Sequence, residues 1–292
     1  MNPQPSPIVV GVDGSEQALL AVDWAAGAAR RHARPLRIVH AFEWPMFKVY
    51  LGPPAGGPPD SGLANAAQRI VDDAVARARE AVPEVVVSGE YVSGFRRAVL
   101  AAEARRAHVM VVGSRGLGGV GAVLIGSAGT ELVALGLGPV VSVPEAYSAR
   151  PEGEIVAAID GSASCRAALR FALAEAATRD VGLRAVLAWQ PPRRWTSVDA
   201  DTPSASRADS EQQARERLGT FLASEDHPPT VEVTPTVVRG GARQVLIEQG
   251  RTAELLVVGS RGFGGFTGLL VGSVSHAVLH HAESPVAVVP SP

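Results

Sequence analysis

The chain of 292 residues contains one cysteine, Cys165, and one lysine, Lys48. A single cysteine excludes an intrachain disulfide framework and a cysteine-rich zinc site, which favours a reducing compartment. A phosphate-binding loop of the form GxxxxGK[ST] is excluded, because Lys48 stands between Phe47 and Val49. Enzymes that form a Schiff base on lysine are disfavoured, since Lys48 lies in a stretch rich in proline and glycine without an obvious desolvating pocket.

The chain also lacks an excess of either charge and any long apolar run. Lysine and arginine total 27 against 29 aspartates and glutamates, so double-stranded nucleic acid is not an expected partner. No apolar run approaches the ~20 residues that a membrane helix needs, and the first residues lack the basic and apolar regions of a signal peptide. We therefore expect a soluble cytoplasmic protein that binds neither nucleic acid nor membranes.

The sequence contains an internal repeat that spans most of the chain. The run IVVGVDGS at residues 8–15 recurs as IVAAIDGS at 155–162, an offset of 147. The run VVGSRG at 111–116 recurs identically at 257–262, an offset of 146. A nearly constant offset over such separated segments indicates a tandem duplication. The sequence predicts domains at residues 1–147 and 153–292, with a linker at 148–152.

Each half alternates predicted strands and helices. In the first half, apolar β-branched runs predict strands at 8–12, 36–42, 85–92, 109–112 and 140–143, and helical spacing of apolar residues predicts helices at 15–34, 64–82, 96–107 and 127–135. Stretches rich in proline at 44–63 and 190–206 are predicted as loops. This alternation is typical of the α/β class, with a doubly wound parallel sheet of five strands and four helices in each half.

Aspartates and glycines follow the strands where a ligand is expected. Open parallel sheets bind ligands beyond the carboxyl ends of their strands, where the strand order reverses. Asp13 and Asp160 follow the first strands, and Gly113 and Gly259 follow the fourth. A glycine-rich stretch then leads into a helix, whose N-terminal N–H groups suit phosphate oxygens. The sequence predicts a phosphate site in each half.

Three other interpretations compete with this one. The glycine-rich stretches could be loops without a ligand, but two copies at matched spacing disfavour that. The run GLGGVG at 116–121 satisfies the dinucleotide pattern GxGxxG, but no helix follows directly and no acidic residue stands ~20 positions on, so we reject it. Asp13 and Asp160 could instead be helix caps or turn formers, and this alternative stays open.

The glycines carry a resemblance. The pattern G-x2-G-x9-G-[ST], which each half contains once, resembles the ATP-binding motif of the universal stress protein family, as do the opening VGVDGS and the closing Pro-Val-x-x-Val-Pro. The resemblance covers nearly the whole chain. It implies the strand order 3-2-1-4-5 in each half, one ATP per half with or without Mg²⁺, and a regulatory role in the stress response or growth arrest.

The resemblance also implies the residues that would hold ATP. In the first half these are Gly11, Asp13, Val39, Ala41, Gly113, Ser114, Arg115, Gly116, Gly118, Gly119, Gly126, Ser127 and Ala128. In the second half they are Ala158, Asp160, Leu187, Gly259, Ser260, Arg261, Gly262, Gly264, Gly265, Gly272, Ser273, Val274 and Ser275. Asp13 and Asp160 would contact ribose, phosphate or the metal ion, and Ser275 would offer a hydroxyl donor that Gly129 lacks in the first half.

Two other functions remain as alternatives: a weak ATPase or phosphotransferase, and an interaction module that no longer binds nucleotide. No nucleophile with an adjacent base is evident in the sequence, so efficient turnover is not expected. The short apolar last strands would pair in a homodimer or within the chain, and the regulatory protein partner is unknown. His276 and His280 have a spacing that suits a metal ion, but a solvated helix face is the favoured interpretation, because no histidines match them in the first half.

Overall fold

The computed structural model describes residues 5–43, 61–114, 127–148, 153–190, 204–262 and 271–291. The chain divides into two compact units, Met1–Tyr147 and Ser148–Pro292. Both units belong to the α/β class that the sequence predicts. Among the described residues, no helix is long and apolar enough to cross a membrane.

The first unit alternates strands and helices along the chain. Its elements are β1 (Ile8–Gly11), α1 (Glu16–Arg31), β2 (Leu36–Phe42), α2 (Ser61–Ala81), β3 (Val87–Ser93), α3 (Arg96–Ala104), β4 (Val109–Gly113), α4 (Ser127–Leu135) and β5 (Val140–Val143). The strands lie in the order β3-β2-β1-β4-β5 and every neighbouring pair is parallel. This confirms the order that the resemblance implied.

The second unit repeats the plan. Its elements are β6 (Ile155–Ala158), α5 (Ala163–Arg179), β7 (Leu183–Trp189), α6 (Ser204–Ala223), β8 (Val233–Arg239), α7 (Ala242–Gly250), β9 (Leu255–Gly259), α8 (Ser273–His281) and β10 (Val286–Val289). The strand order is β8-β7-β6-β9-β10, again with parallel pairs. In each unit the order therefore reverses between the first and fourth strands.

Buried apolar strands form the centre of each sheet. Ile8, Val9 and Val10 of β1 are fully buried, as are Ile155 and Val156 of β6. Because both faces of these strands are buried, their sequences are continuous apolar runs and do not alternate between apolar and polar residues. The alanine-rich inner face of α1 is also buried, because small side chains let the helix lie close to the sheet.

Several predicted boundaries were wrong. Helix α1 ends at Arg31 rather than at residue 34, because Ala33 takes a left-handed backbone conformation with φ 49° that no helix continues through. Helix α3 ends at Ala104 rather than at 107. Helices α2 and α6 begin at Ser61 and Ser204, inside segments predicted as loops. The prediction placed these helix starts too late because it gave the glycine and proline content of the segments more weight than the helical pattern that follows.

Candidate functional site

A tight turn joins the first strand of each unit to the following helix. In the first unit, Asp13 Oδ1 accepts hydrogen bonds from the Ser15 N–H at 3.0 Å and from the Ser15 hydroxyl at 2.6 Å. The Ser15 Oγ in turn accepts from the Ala18 N–H at 3.2 Å, so Ser15 is the N-cap of α1. Gly14 has φ +87°, a conformation that favours glycine. Asp13 therefore shapes this turn.

The second unit builds the same turn and ties it to the segment after β9. Asp160 Oδ1 accepts from the Ser162 N–H at 2.9 Å. The hydroxyl of Ser164, in the first turn of α5, donates to the carbonyl of Arg261. A Cβ on Gly262 would lie 2.8 Å from Asp160 Oδ2. The turn after the first strand and the segment after the fourth thus meet, and a side chain at position 262 would have to displace the Asp160 carboxylate.

A cleft of about 850 Å³ opens at this point of the second unit, within the range of ~300–1,000 Å³ that is usual for small-molecule sites. Most of the predicted second-unit residues line it. These are Ala158, Asp160, Leu187, Gly259, Arg261, Gly262, Gly272, Ser273, Val274 and Ser275. Ser260 is buried and lies outside the lining. Gly264 and Gly265 lie outside the described residues.

One wall of the cleft is the beginning of α8. Gly272 is the N-cap, and Ser273 is the first helical residue and is exposed. The first N–H groups of a helix have no partner within the helix and carry a partial positive charge. The Gly272 N–H donates to the Ser260 carbonyl at 2.8 Å, which fixes the entry of the chain into the helix. This end of α8 is suited to an anion.

The hydroxyl of Ser275 is already used inside the fold. It donates to the Gly259 carbonyl at 2.6 Å, and the residue is buried. A hydroxyl has one proton, so in this geometry Ser275 can accept from a ligand but has no proton to donate to a phosphate. Ser275 thus joins the start of α8 to the end of β9.

Sequence reasoning missed lining residues that come from helix faces. Arg217 of α6 is exposed at the cleft and adds a second guanidinium to that of Arg261. Cys165 of α5 also lines the cleft, and burial raises the pKa of its thiol, which is therefore protonated at neutral pH. The helical periodicity of α6 indicates that position 217 is on the polar face of the helix. It does not indicate which part of the fold Arg217 faces.

In the first unit, the structure describes fewer of the residues that correspond to the cleft of the second unit. Gly11, Asp13, Val39, Ala41, Gly113, Ser114 and Ala128 are described, whereas Arg115, Gly116, Gly118, Gly119, Gly126 and the side chain of Ser127 lie outside the described residues. The Val39 carbonyl accepts from the Val12 N–H at 2.9 Å. His40 Nδ1 lies 2.8 Å from the Val12 carbonyl, where the second unit has Leu187.

Across all described residues, no group of three or more histidine, cysteine, aspartate or glutamate side chains is arranged to hold a metal ion.

The close contact at Gly259 gives a stability prediction. A Cβ there would lie 2.7 Å from Ser164 Oγ and 2.9 Å from the Ser164 carbonyl carbon, so the start of α5 would have to move. We expect Gly259→Ala to lower the free energy of unfolding of the second unit by about 1–3 kcal/mol, measured by urea denaturation. Gly219→Ala is the control: nothing lies within 4 Å of that Cβ in α6, and the change should stabilise the helix by about 0.5–1 kcal/mol. Equal effects of the two substitutions would contradict the contact argument.

Comparison with known proteins matches both units to one family. A model of the universal stress protein family matches residues 6–144 and again residues 153–290. A universal stress protein of Mycolicibacterium smegmatis is 34% identical over 294 residues, which cover 97% of this chain and 96% of that protein. One of Mycobacterium tuberculosis is 34% identical over 295 residues, covering 96% and 95%. The crystal structure of a universal stress protein from Archaeoglobus fulgidus matches with a TM-score of 0.69 at 16% identity, covering 99% of this chain and all of the other.

Proposed function

Since the chain belongs to the universal stress protein family, we propose that it is a cytoplasmic regulatory protein that binds ATP, up to one molecule in each unit. The observation that carries the proposal is the cleft of the second unit, where the start of α8, a glycine-lined approach and two arginines surround one space at the reversal of strand order. Each of these features suits a phosphate chain.

The charges around the cleft support an anionic ligand. Among its described lining residues, Arg217 and Arg261 are the cationic side chains and Asp160 is the acidic one. Arginine side chains and a helix N-terminus both favour phosphate oxygens. The single lysine of the chain, Lys48, is not needed for such a site. ATP would be held by backbone N–H groups and guanidinium groups, with Asp160 near its ribose or its metal ion.

The other end of the cleft suits a base and sugar. Ala158, Leu187 and Trp189 give this part an apolar lining, and Gln190 and Gln213 add amide groups. Ligand sites commonly combine an apolar lining with a few polar groups that fix orientation. An adenine ring would lie against this region, near the carboxyl ends of β6 and β7, with its phosphates directed toward Gly262 and Ser273.

Binding without efficient turnover follows from the same residues. The thiol of Cys165 is buried with a raised pKa, so it does not supply a thiolate nucleophile. Asp160 uses one carboxylate oxygen to accept from the Ser162 N–H. We propose that ATP occupancy, rather than hydrolysis, is the signal that a protein partner reads.

Calorimetry and mass spectrometry test this proposal. We expect chelator-treated, nucleotide-free protein to bind up to two ATP per chain, with unequal affinities because Ala158 in the second unit replaces Gly11 of the first. Mass spectrometry of protein purified without stripping should find adenine nucleotide. Absence of ATP from both purified and ATP-soaked protein would refute the proposal.

A turnover assay separates the proposal from the weak-ATPase alternative. ADP release would be compared between the natural chain and a variant carrying both Asp13→Ala and Asp160→Ala. Release at a rate well above that of the double variant would support an enzyme. Equal, near-background release with retained binding supports a regulatory protein.

A further inference from the structure

Two histidines of α8 stand outside the cleft and have no part in the proposed ATP site. The Nε2 atoms of His276 and His280 lie 3.1 Å apart, and their ring centroids are 4.2 Å apart with the planes tilted by 41°. They are four residues apart on one helix, which places both rings on the same face. Their counterparts in the first unit are Thr130 and Ala134, which offer no imidazole.

We propose that His276 and His280 form a binding site for a late first-row divalent cation such as Zn²⁺, Ni²⁺ or Cu²⁺. Imidazole nitrogen is a favoured ligand of these ions, whereas Mg²⁺ and Ca²⁺ prefer oxygen. The site is independent of the proposed ATP binding. Its two protein ligands leave the remaining coordination positions to water or to a group from another molecule.

The separation of the two nitrogens already matches a shared ion. With metal–nitrogen distances of about 2.05 Å and angles of about 90–109° at the metal, two imidazole nitrogens lie roughly 2.9–3.3 Å apart. The observed 3.1 Å falls inside this interval. The rings would have to rotate about their side-chain torsions to turn both lone pairs from this hydrogen bond toward one ion.

The protonation state of the pair also suits a metal. The contact between the two Nε2 atoms requires one of them to donate a proton and the other to accept. When an ion binds, the donating ring moves its proton from Nε2 to Nδ1, which frees the lone pairs of both Nε2 atoms for the metal.

His281 is adjacent in sequence but is placed differently. Its ring centroid is 6.1 Å from that of His280, and residues next to each other on a helix do not face the same direction. It therefore serves as the matched control: it is a histidine on the same helix, with the same chemistry, outside the pair. Cys165→Ser is a second control, because it removes the chain's one thiol.

The experiment titrates Cu²⁺ and Zn²⁺ into untagged, nucleotide-free chain. We expect one ion per chain, with a Cu²⁺ paramagnetic resonance spectrum that shows two nitrogen donors in the natural chain and one in His276→Ala or His280→Ala. Loss of an outer ligand partner alone costs 10–100-fold in affinity, so each of these variants should bind at least about tenfold more weakly. His281→Ala and Cys165→Ser should bind within about twofold of the natural chain, since neither residue belongs to the pair.

Stability gives a second readout. At Zn²⁺ concentrations about tenfold above the dissociation constant, the melting temperature of the second unit should rise by roughly 3–6 °C, and this rise should be absent in the His276→Ala/His280→Ala double variant. Circular dichroism without metal checks that the variants fold. Equal metal affinity in the double variant and the natural chain, or an equal loss in His281→Ala, would overturn the proposal.

Discussion

Ser273→Glu is expected to abolish ATP binding by the second unit while leaving its fold intact. Ser273 is the first residue of α8, is exposed and lines the cleft. A carboxylate there would stand where the proposed site holds phosphate. Like charges about 4 Å apart at a protein surface repel by up to about 4 kcal/mol, so ATP affinity should fall by two to three orders of magnitude, on the order of 100–1,000-fold.

The same substitution favours the folded state, which makes a loss of binding interpretable. A negative charge at a helix N-terminus contributes about 0.3–1 kcal/mol of stability through the helix dipole, so the urea midpoint should stay the same or rise. Ser273→Gln is the control of similar size without the charge. Calorimetry should find one ATP per Ser273→Glu chain and two per Ser273→Gln chain. Two ATP of unchanged affinity in Ser273→Glu would place the phosphates elsewhere.

The sequence was sufficient to predict the fold because its signals are local and repeated. The buried strands β1 and β6 are continuous apolar runs, as the sequence predicts, and Ser15 and Ser162 cap the helices that follow. Because the unit occurs twice, each strand or helix pattern in one half could be compared with the matching pattern in the other half. The predicted end of α1 was wrong because one backbone angle decided it, at Ala33, and no residue pattern marks an alanine with positive φ.

The cleft could be predicted only in part, for a geometric reason. Asp160, Gly259 and Gly262 follow strand ends, and the edge of a parallel sheet brings such residues together whatever the helices do. Arg217 and Cys165 come from helix faces, whose rotation depends on packing across the whole unit. The direction of a hydroxyl is also a tertiary property. Ser275 donates to the Gly259 carbonyl, which no spacing of serine and glycine reveals.

A buried ion cluster distinguishes the second unit from the first. In the second unit, Arg179 pairs with Glu175 one turn earlier in α5, and its Nε donates to Glu254 Oε1 at 2.8 Å. The side chains of Arg179 and Glu175 are each 2% exposed, and that of Glu254 is 13% exposed. The first unit has Ala28, His32 and His108 at these positions, with the two imidazole centroids 5.1 Å apart.

Arg179→Met should therefore destabilise the second unit severely. Methionine fills similar space, but Glu175 and Glu254 would remain in a buried place without the guanidinium between them. Removing one partner of a buried ion pair typically costs about 3–5 kcal/mol, enough to make the second unit unfold at a lower urea concentration than the first. Urea denaturation followed by tryptophan fluorescence and far-ultraviolet circular dichroism measures this as a separate early transition.

The first unit supplies the control. A triple variant, Glu175→Ala with Arg179→His and Glu254→His, installs the first unit's residues and removes both buried carboxylates together with the cation. We expect it to lie within about 1.5 kcal/mol of the natural chain, since replacing a whole buried ion cluster is far less costly than removing one member. If Arg179→Met and the triple variant lose the same stability, the loss comes from packing at position 179 and not from carboxylates left without their cation.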